Sequence, residues 1–199
     1  MGDMQPPLTF AQVASILEFV HAIHAQHSDA FRARLKHLQR LGFPSGINTG
    51  KGKAAEYNWR EIIMLAVALQ LIELGLAPEK AKLICADNEF GILRAFAKTI
   101  LAPDADDYYF LLIYSSSFDH LRSEEEEKST SINILPLKEV RSLFTRDPFF
   151  SRIVMINLNT LFAWLRVGPV TAGIEKSGHQ MLRSLEKWAG QFNDQHPQA

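Results

Sequence analysis

The run from Asn58 to Gly75, NWREIIMLAVALQLIELG, constrains the fold more than any other part of the chain. Asn58 is a helix-capping residue and Gly75 a helix stop. Between them Ile62, Ile63, Leu65, Val67, Leu69, Leu71 and Ile72 go nearly all the way round a helical wheel. A helix that is apolar on every side has to be surrounded, so the spacing predicts a central helix. Its nearly uncharged stretch, Ile62 to Ile72, falls well short of the roughly 20 apolar residues needed to cross a bilayer, and no transmembrane helix is expected. At 199 residues, 47% of them hydrophobic, the chain has apolar material for one large domain or two small ones.

The segments that would cover this helix read clearly. Thr9 caps a pattern from Phe10 to about Gln26, with Val13, Ile16, Leu17, Val20 and Ile23 at spacings of three and four. Ser28 or Asp29 caps a second helix to Leu41, which Gly42 stops and Pro44 prevents from continuing. After Gly75, Pro78 starts a short helix to about Cys85, and Phe90 to Leu101 forms another. APDADD reads as a linker. Beyond it Tyr108–Phe118, Ser129–Leu135 and Arg152–Leu158 are aromatic and β-branched enough for strands. Helices are expected at Pro136–Phe144, Asn159–Leu165 and Gly178–Phe192, and VGPVTAG reads as a turn-rich connection.

Net charge is −1, but it is unevenly spread. From Ser28 to Arg60, Arg32, Arg34, Lys36, Arg40, Lys51, Lys53 and Arg60 face only Asp29 and Glu56, a local charge of +5. The second half carries the acidic Asp104, Asp106, Asp107 cluster and the run Glu124 to Glu127, the latter read as a solvated loop. In the second helix Phe31, Leu35 and Leu38 point inward while Arg32, Lys36 and Arg40 stand on roughly the opposite side. Such a helix, followed by a short two-stranded loop tipped TGKGK and then by the long helix, is the plan of a winged helix-turn-helix. Gly50 and Gly52 suit a tight turn at the wing tip, and Lys51 and Lys53 suit a phosphate backbone.

Three ordered landmarks, RLKHLQRLGFP, AAEYNWREI and LIELGLAPEKAKLI, resemble the DNA-binding domain of the MerR-type transcription regulators over about Phe10 to Ile84. The resemblance implies a recognition helix within the first landmark and a helix start after the wing within the second. The chain differs in having extra length, EFVHAIHAQH, before Ser28, in placing Lys36, His37 and Leu38 where the family has an arginine followed by aromatics, and in having no sustained heptad after Phe90. It also lacks the family's inducer and metal cysteines. The candidate DNA-contact set is Arg32, Arg34, Lys36, His37, Arg40, Lys51, Lys53, Tyr57 and Arg60, with Trp59 assigned to the core.

Other chemistry finds little support. His21, His24 and His27 are three apart but rotate off one helix face, with no cysteine or carboxylate beside them, so no metal site is read. The single cysteine, Cys85, reads as a buried small hydrophobe, and residues 1–9 carry no charged-then-apolar leader, so a cytoplasmic chain is expected. No glycine-rich phosphate loop, nucleophile elbow or metal-spaced His and carboxylate pair is present, so neither an enzyme nor a cofactor is expected. The expected architecture is a mainly α N-terminal winged helix-turn-helix domain, 1–103, followed by a small α+β domain, 104–199. The expected function is a sequence-specific DNA-binding transcription regulator, with double-stranded DNA as partner. It is expected to form a homodimer through residues 104–199, by way of Met181, Leu182, Leu185, Trp188 and Phe192, with RNA polymerase as a further protein partner. The alternative is a protein-interaction adaptor that uses the winged helix as a scaffold, and a third reading houses a small-molecule sensor or an enzyme in the second half.

Overall fold

The central helix is α3, Trp59–Glu73. Asn58 caps it: its side chain accepts from the Arg60 amide at 2.9 Å, while the Glu61 carboxylate accepts from the Asn58 amide at 2.9 Å. Every residue from Glu61 to Leu69 is buried, together with Trp59 and Leu71, so the helix is enclosed on all sides as its pattern requires. Glu61 is the charged residue in that set at 6% exposure, and it is held by its capping bond, by Arg60 at 3.0 Å and by the positive end of the helix dipole.

The computed structural model describes residues 7–47, 54–101, 108–114, 132–146, 153–174 and 179–196. The described residues are mainly helical, with two small antiparallel sheets. In chain order the first elements are β1 (Leu8–Thr9), α1 (Phe10–Val20), α2 (Ser28–Arg40), β2 (Glu56–Tyr57), α3, α4 (Pro78–Asp87) and α5 (Glu89–Leu101). There follow β3 (Tyr109–Tyr114), β4 (Ile132–Pro136), α6 (Leu137–Arg146), β5 (Ile153–Asn157), α7 (Leu158–Thr171) and α8 (His179–Gln195). The wing tip with Gly50, Lys51, Gly52 and Lys53, the APDADD linker and the Glu124 to Glu127 run lie outside the described residues.

Three expectations are corrected. The first helix ends at Val20 and not near Gln26, because Ala22 turns the backbone left-handed at φ 51° and a short 3-10 turn, Ala25–His27, leads into α2. The strand after the basic loop does not pair with the loop's described first arm. It pairs with the N-terminal segment, Leu8 opposite Tyr57 and Thr9 opposite Glu56. VGPVTAG is a turn only at its end, at Ala172 and Gly173; before that, α7 runs through Gly168 and Pro169 to Thr171. Tertiary packing explains it, since a Cβ on Gly168 would stand 3.0 Å from Ile16 Cγ2, and the missing side chain lets α7 lie closely on α1.

The larger sheet has the order β4-β3-β5, antiparallel throughout, with Leu111 opposite both Ile134 and Ile156. Its central strand, YFLLIY, is covered on both faces: Leu111 and Ile113 join the main core, while Leu112 meets Val140 of α6 on the other side. The main core runs without a break from Leu8 through α3 and α5 to Leu185 and Ala189 of α8, so elements from both sides of residue 103 share it. The closest helix associations are α5 with α8 and α1 with α7. The apolar face of α8 that the sequence offers to a second copy is therefore occupied within the chain: Met181 and Leu185 are buried, and Trp188 and Phe192 pack against the same core.

Candidate nucleic-acid interface

Helix α2 is amphipathic in the simplest way. Phe31, Leu35 and Leu38 are buried, and they pin the helix so that the opposite face is presented to solvent. Its end is fixed by Gly42 at φ 74°, where the Gly42 amide donates to the Gln39 carbonyl at 2.9 Å and the Phe43 amide to the Leu38 carbonyl at 3.0 Å. Lys82 of α4 adds a cation at the same end, donating to the Leu41 carbonyl at 2.5 Å.

The candidate cations on this helix separate into held and free. Arg32 is held. Its Nε donates to Glu18 of α1 at 2.8 Å, and Ser28 donates to the same carboxylate oxygen at 2.5 Å. Burial pushes the Glu18 carboxyl up, but the Arg32 and Ser28 hydrogen bonds outweigh it and leave the group below its ordinary 4.5. His37 leans toward α4, with Nε2 3.7 Å from a Glu79 oxygen. Lys36 is exposed with Nζ 5.9 Å from the centre of the Phe10 ring, a cation–π contact that leaves the ammonium in water. Arg34 and Arg40 are exposed, and among the described residues no ion pair holds either of them or Lys36. At about 100° per residue Lys36 and Arg40 form one ridge, while Arg34 stands on the far flank.

Two other candidates do not stand with them. Tyr57 is 1% exposed, its hydroxyl accepts from the Gln39 amide, and burial pushes its pKa up to about 12. It braces α2 against the strand that precedes α3. Arg60 uses all five of its N–H donors within the chain. Nε and Nη2 grip Glu89 of α5, Nη1 donates to Glu61 and to the Ser45 carbonyl, each at 3.0 Å, and Nη2 also reaches Ser45 Oγ at 2.8 Å. Such a group has no donor left for a phosphate. Trp59 is buried at 6% exposure, and its indole donates to Ser184 of α8 at 3.1 Å.

The sequence reading missed Glu18 and Glu89, the acids that hold Arg32 and Arg60. Both were visible as the one carboxylate of their helix, but partners 14 and 29 residues distant carry no local signal. Of the three histidines at spacing three, His21 is buried with Nε2 unpartnered, and no cluster of metal-ligating side chains occurs among the described residues. Cys85 is fully buried, and burial pushes its thiol up to about 12, so it is inert as a nucleophile. No described helix is long and apolar enough to cross a membrane.

No protein-family model matches this chain, and comparison with curated proteins finds no significant relative.

Proposed function

We propose that this protein is a sequence-specific DNA-binding transcription regulator whose contact surface is α2 together with the loop bearing Lys51 and Lys53. The observation that carries the reading is the set Arg34, Lys36 and Arg40. These are three exposed cations on one rigid helix with no carboxylate partner among the described residues, in the segment of local charge +5. In this reading α1 and α2 form a MerR-like helix-turn-helix, the basic loop is the wing, and α3 is the support beneath both. Lys51 and Lys53 supply phosphate contacts and fix the register, while an arginine of α2 reads base edges.

Arg34, Lys36 and Arg40 of α2, with Lys51 and Lys53 of the loop, make five cations that set the expected salt dependence. With each neutralised phosphate contributing about −0.9, the log-log slope of affinity against salt is roughly −4.5. Fluorescence anisotropy on a random duplex measures it, and the absence of binding at low salt, or a slope near zero, refutes the proposal.

The adaptor reading has its own support in a ridge on α7, where Trp164 is 49%, Val167 44% and Val170 40% exposed. Homodimer formation through residues 104–199 would also use this ridge, because the face of α8 is occupied. Direct titration with purified RNA polymerase separates the readings: an adaptor binds the polymerase and leaves duplex DNA alone. Sedimentation with Trp164→Glu tests the dimer.

A further inference from the structure

A cleft of about 560 Å³ opens where the β1–β2 pair, the start of α3 and one side of α8 meet. That volume lies inside the roughly 300–1,000 Å³ of small-molecule sites. Its floor is apolar, made by the buried Leu8, Ile62 and Met181. Two indoles line it, from Trp59 and Trp188, and both are fixed in place. Trp59 is held by its 3.1 Å bond to Ser184, and Trp188 by stacking on Phe192 with ring centres 5.7 Å apart. A rigid aromatic wall keeps its shape without a ligand, so binding loses little side-chain freedom.

The rim has a polarity. Lys187 and Gln191 are one turn apart on α8, and both are exposed. Lys187 is in no ion pair among the described residues. Arg60 also lines the cleft, but its charge is spent on Glu89 and Glu61. The start of α3, already capped by Asn58 and Glu61, completes that wall. Glu56 is the one carboxylate among the lining residues, on β2.

We infer that this cleft is a binding site for a small planar aromatic molecule bearing one acidic group, its rings stacked on Trp188 beside the largely buried Trp59 and its acid turned to Lys187. Aromatic walls favour a flat ligand by stacking. The unpaired ammonium favours an anion over a cation, and the apolar floor disfavours a strongly hydrated one such as free phosphate. The site lies apart from the free cations of α2, so its ligand need not be a nucleic acid.

The test uses two dyes on the full chain, without DNA: anilinonaphthalene sulfonate, and phenylnaphthylamine, which has the same rings and no acid. Both are expected to bind, one per chain, at micromolar concentration. Ser184→Phe, which fills the cleft, is expected to weaken both about tenfold or more. Lys187→Gln is expected to weaken the sulfonate about fivefold at low salt and to leave the neutral dye unchanged. Trp164→Ala, on the α7 ridge, is expected to change neither. If neither dye binds, if Ser184→Phe keeps wild-type affinity for both, or if Trp164→Ala removes binding, the inference falls. Should Ser184→Phe fail to fold, as judged by circular dichroism, Lys187→Gln decides: equal affinity for the sulfonate before and after the change refutes recognition of the acid. Because no DNA is present, failure here leaves the regulator reading untouched, and failure of the salt titration leaves the cleft untouched.

Discussion

Arg60→Gln separates the two roles open to a basic residue in a basic segment, structural brace and phosphate contact. The side chain is 30% exposed and joins three parts of the chain that are distant in sequence: Ser45 after α2, Glu61 at the start of α3, and Glu89 at the start of α5. A hydrogen bond to a charged group is worth about 1.5–3 kcal/mol, and partial exposure of Arg60 and Glu89 discounts the Glu89 pair toward the surface figure of about 1 kcal/mol. The larger loss is at Glu61, whose side chain is 8% exposed and would give up a charged donor. Together these give about 3 kcal/mol, or roughly 6–12 °C in Tm for a chain of this size. Urea and thermal unfolding of wild type, Arg60→Gln, Glu89→Gln and the double variant measure it, with a coupling energy of about 1 kcal/mol expected from the cycle. DNA affinity at a temperature where all variants are folded is expected to keep its salt slope. If Arg60→Gln leaves the unfolding midpoint in place and flattens the slope by about 0.9, the brace assignment is wrong and Arg60 is a phosphate contact.

Other consequences are as definite. Ala22 occupies a left-handed position after α1, with its amide donating to the Phe19 carbonyl at 3.0 Å and the Ile23 amide to Glu18 at 2.8 Å, so it does the work glycine does after α2 and α3. Ala22→Gly is therefore expected to stabilise by about 0.5–1 kcal/mol in urea unfolding, and Gly75→Ala at the equivalent position after α3 to destabilise by a similar amount; a destabilising Ala22→Gly refutes the strain argument. Burial holds the His21 imidazole below its ordinary 6.5 despite Glu73 3.6 Å away, so the native state prefers it neutral. Its contribution to stability is complete above pH 6.5 and is lost as pH falls from there through the lower native value; unfolding at pH 7 and pH 5 is expected to show a smaller acid loss in His21→Phe than in wild type. Selection of bound sequences from a random duplex pool is expected to keep its motif in Arg32→Ala and blur it in Arg34→Ala or Arg40→Ala; a motif that changes only with Arg32→Ala means that the Glu18 pair opens on DNA.

What the sequence made legible follows the range of the forces involved. The caps at Thr9 and Asn58, the stops at Gly42 and Gly75, and the buried faces of α2 and α3 are set by groups within about four residues of one another, and periodicity reports them directly. Two of the three misread stretches were decided at long range. Gly168 and Pro169 carry strong local turn signals, yet they lie in a helix that packs on α1 with the bare Gly168 backbone beside Ile16. The short strand at Tyr57 gave no hint that its partner would be Leu8.

The same limit governs the site. Charge along the chain locates the basic segment, but it does not say which of its cations are free, because the carboxylates that hold Arg32 and Arg60 come from α1 and α5. Once those pairs are placed, the free set on α2 narrows to Arg34, Lys36 and Arg40, with His37 turned toward Glu79. The arginine most suited by sequence to lead the stripe, Arg32, is the one the fold has anchored. That anchor has a cost for recognition: a fork committed to Glu18 would have to break a short, partly buried charged pair before it could grip a guanine edge, and the contact would lose much of its worth in doing so. If the protein reads DNA as proposed, readout by α2 would fall to Arg34 and Arg40, about 120° apart around the helix, while the Arg32–Glu18 pair holds α2 against α1.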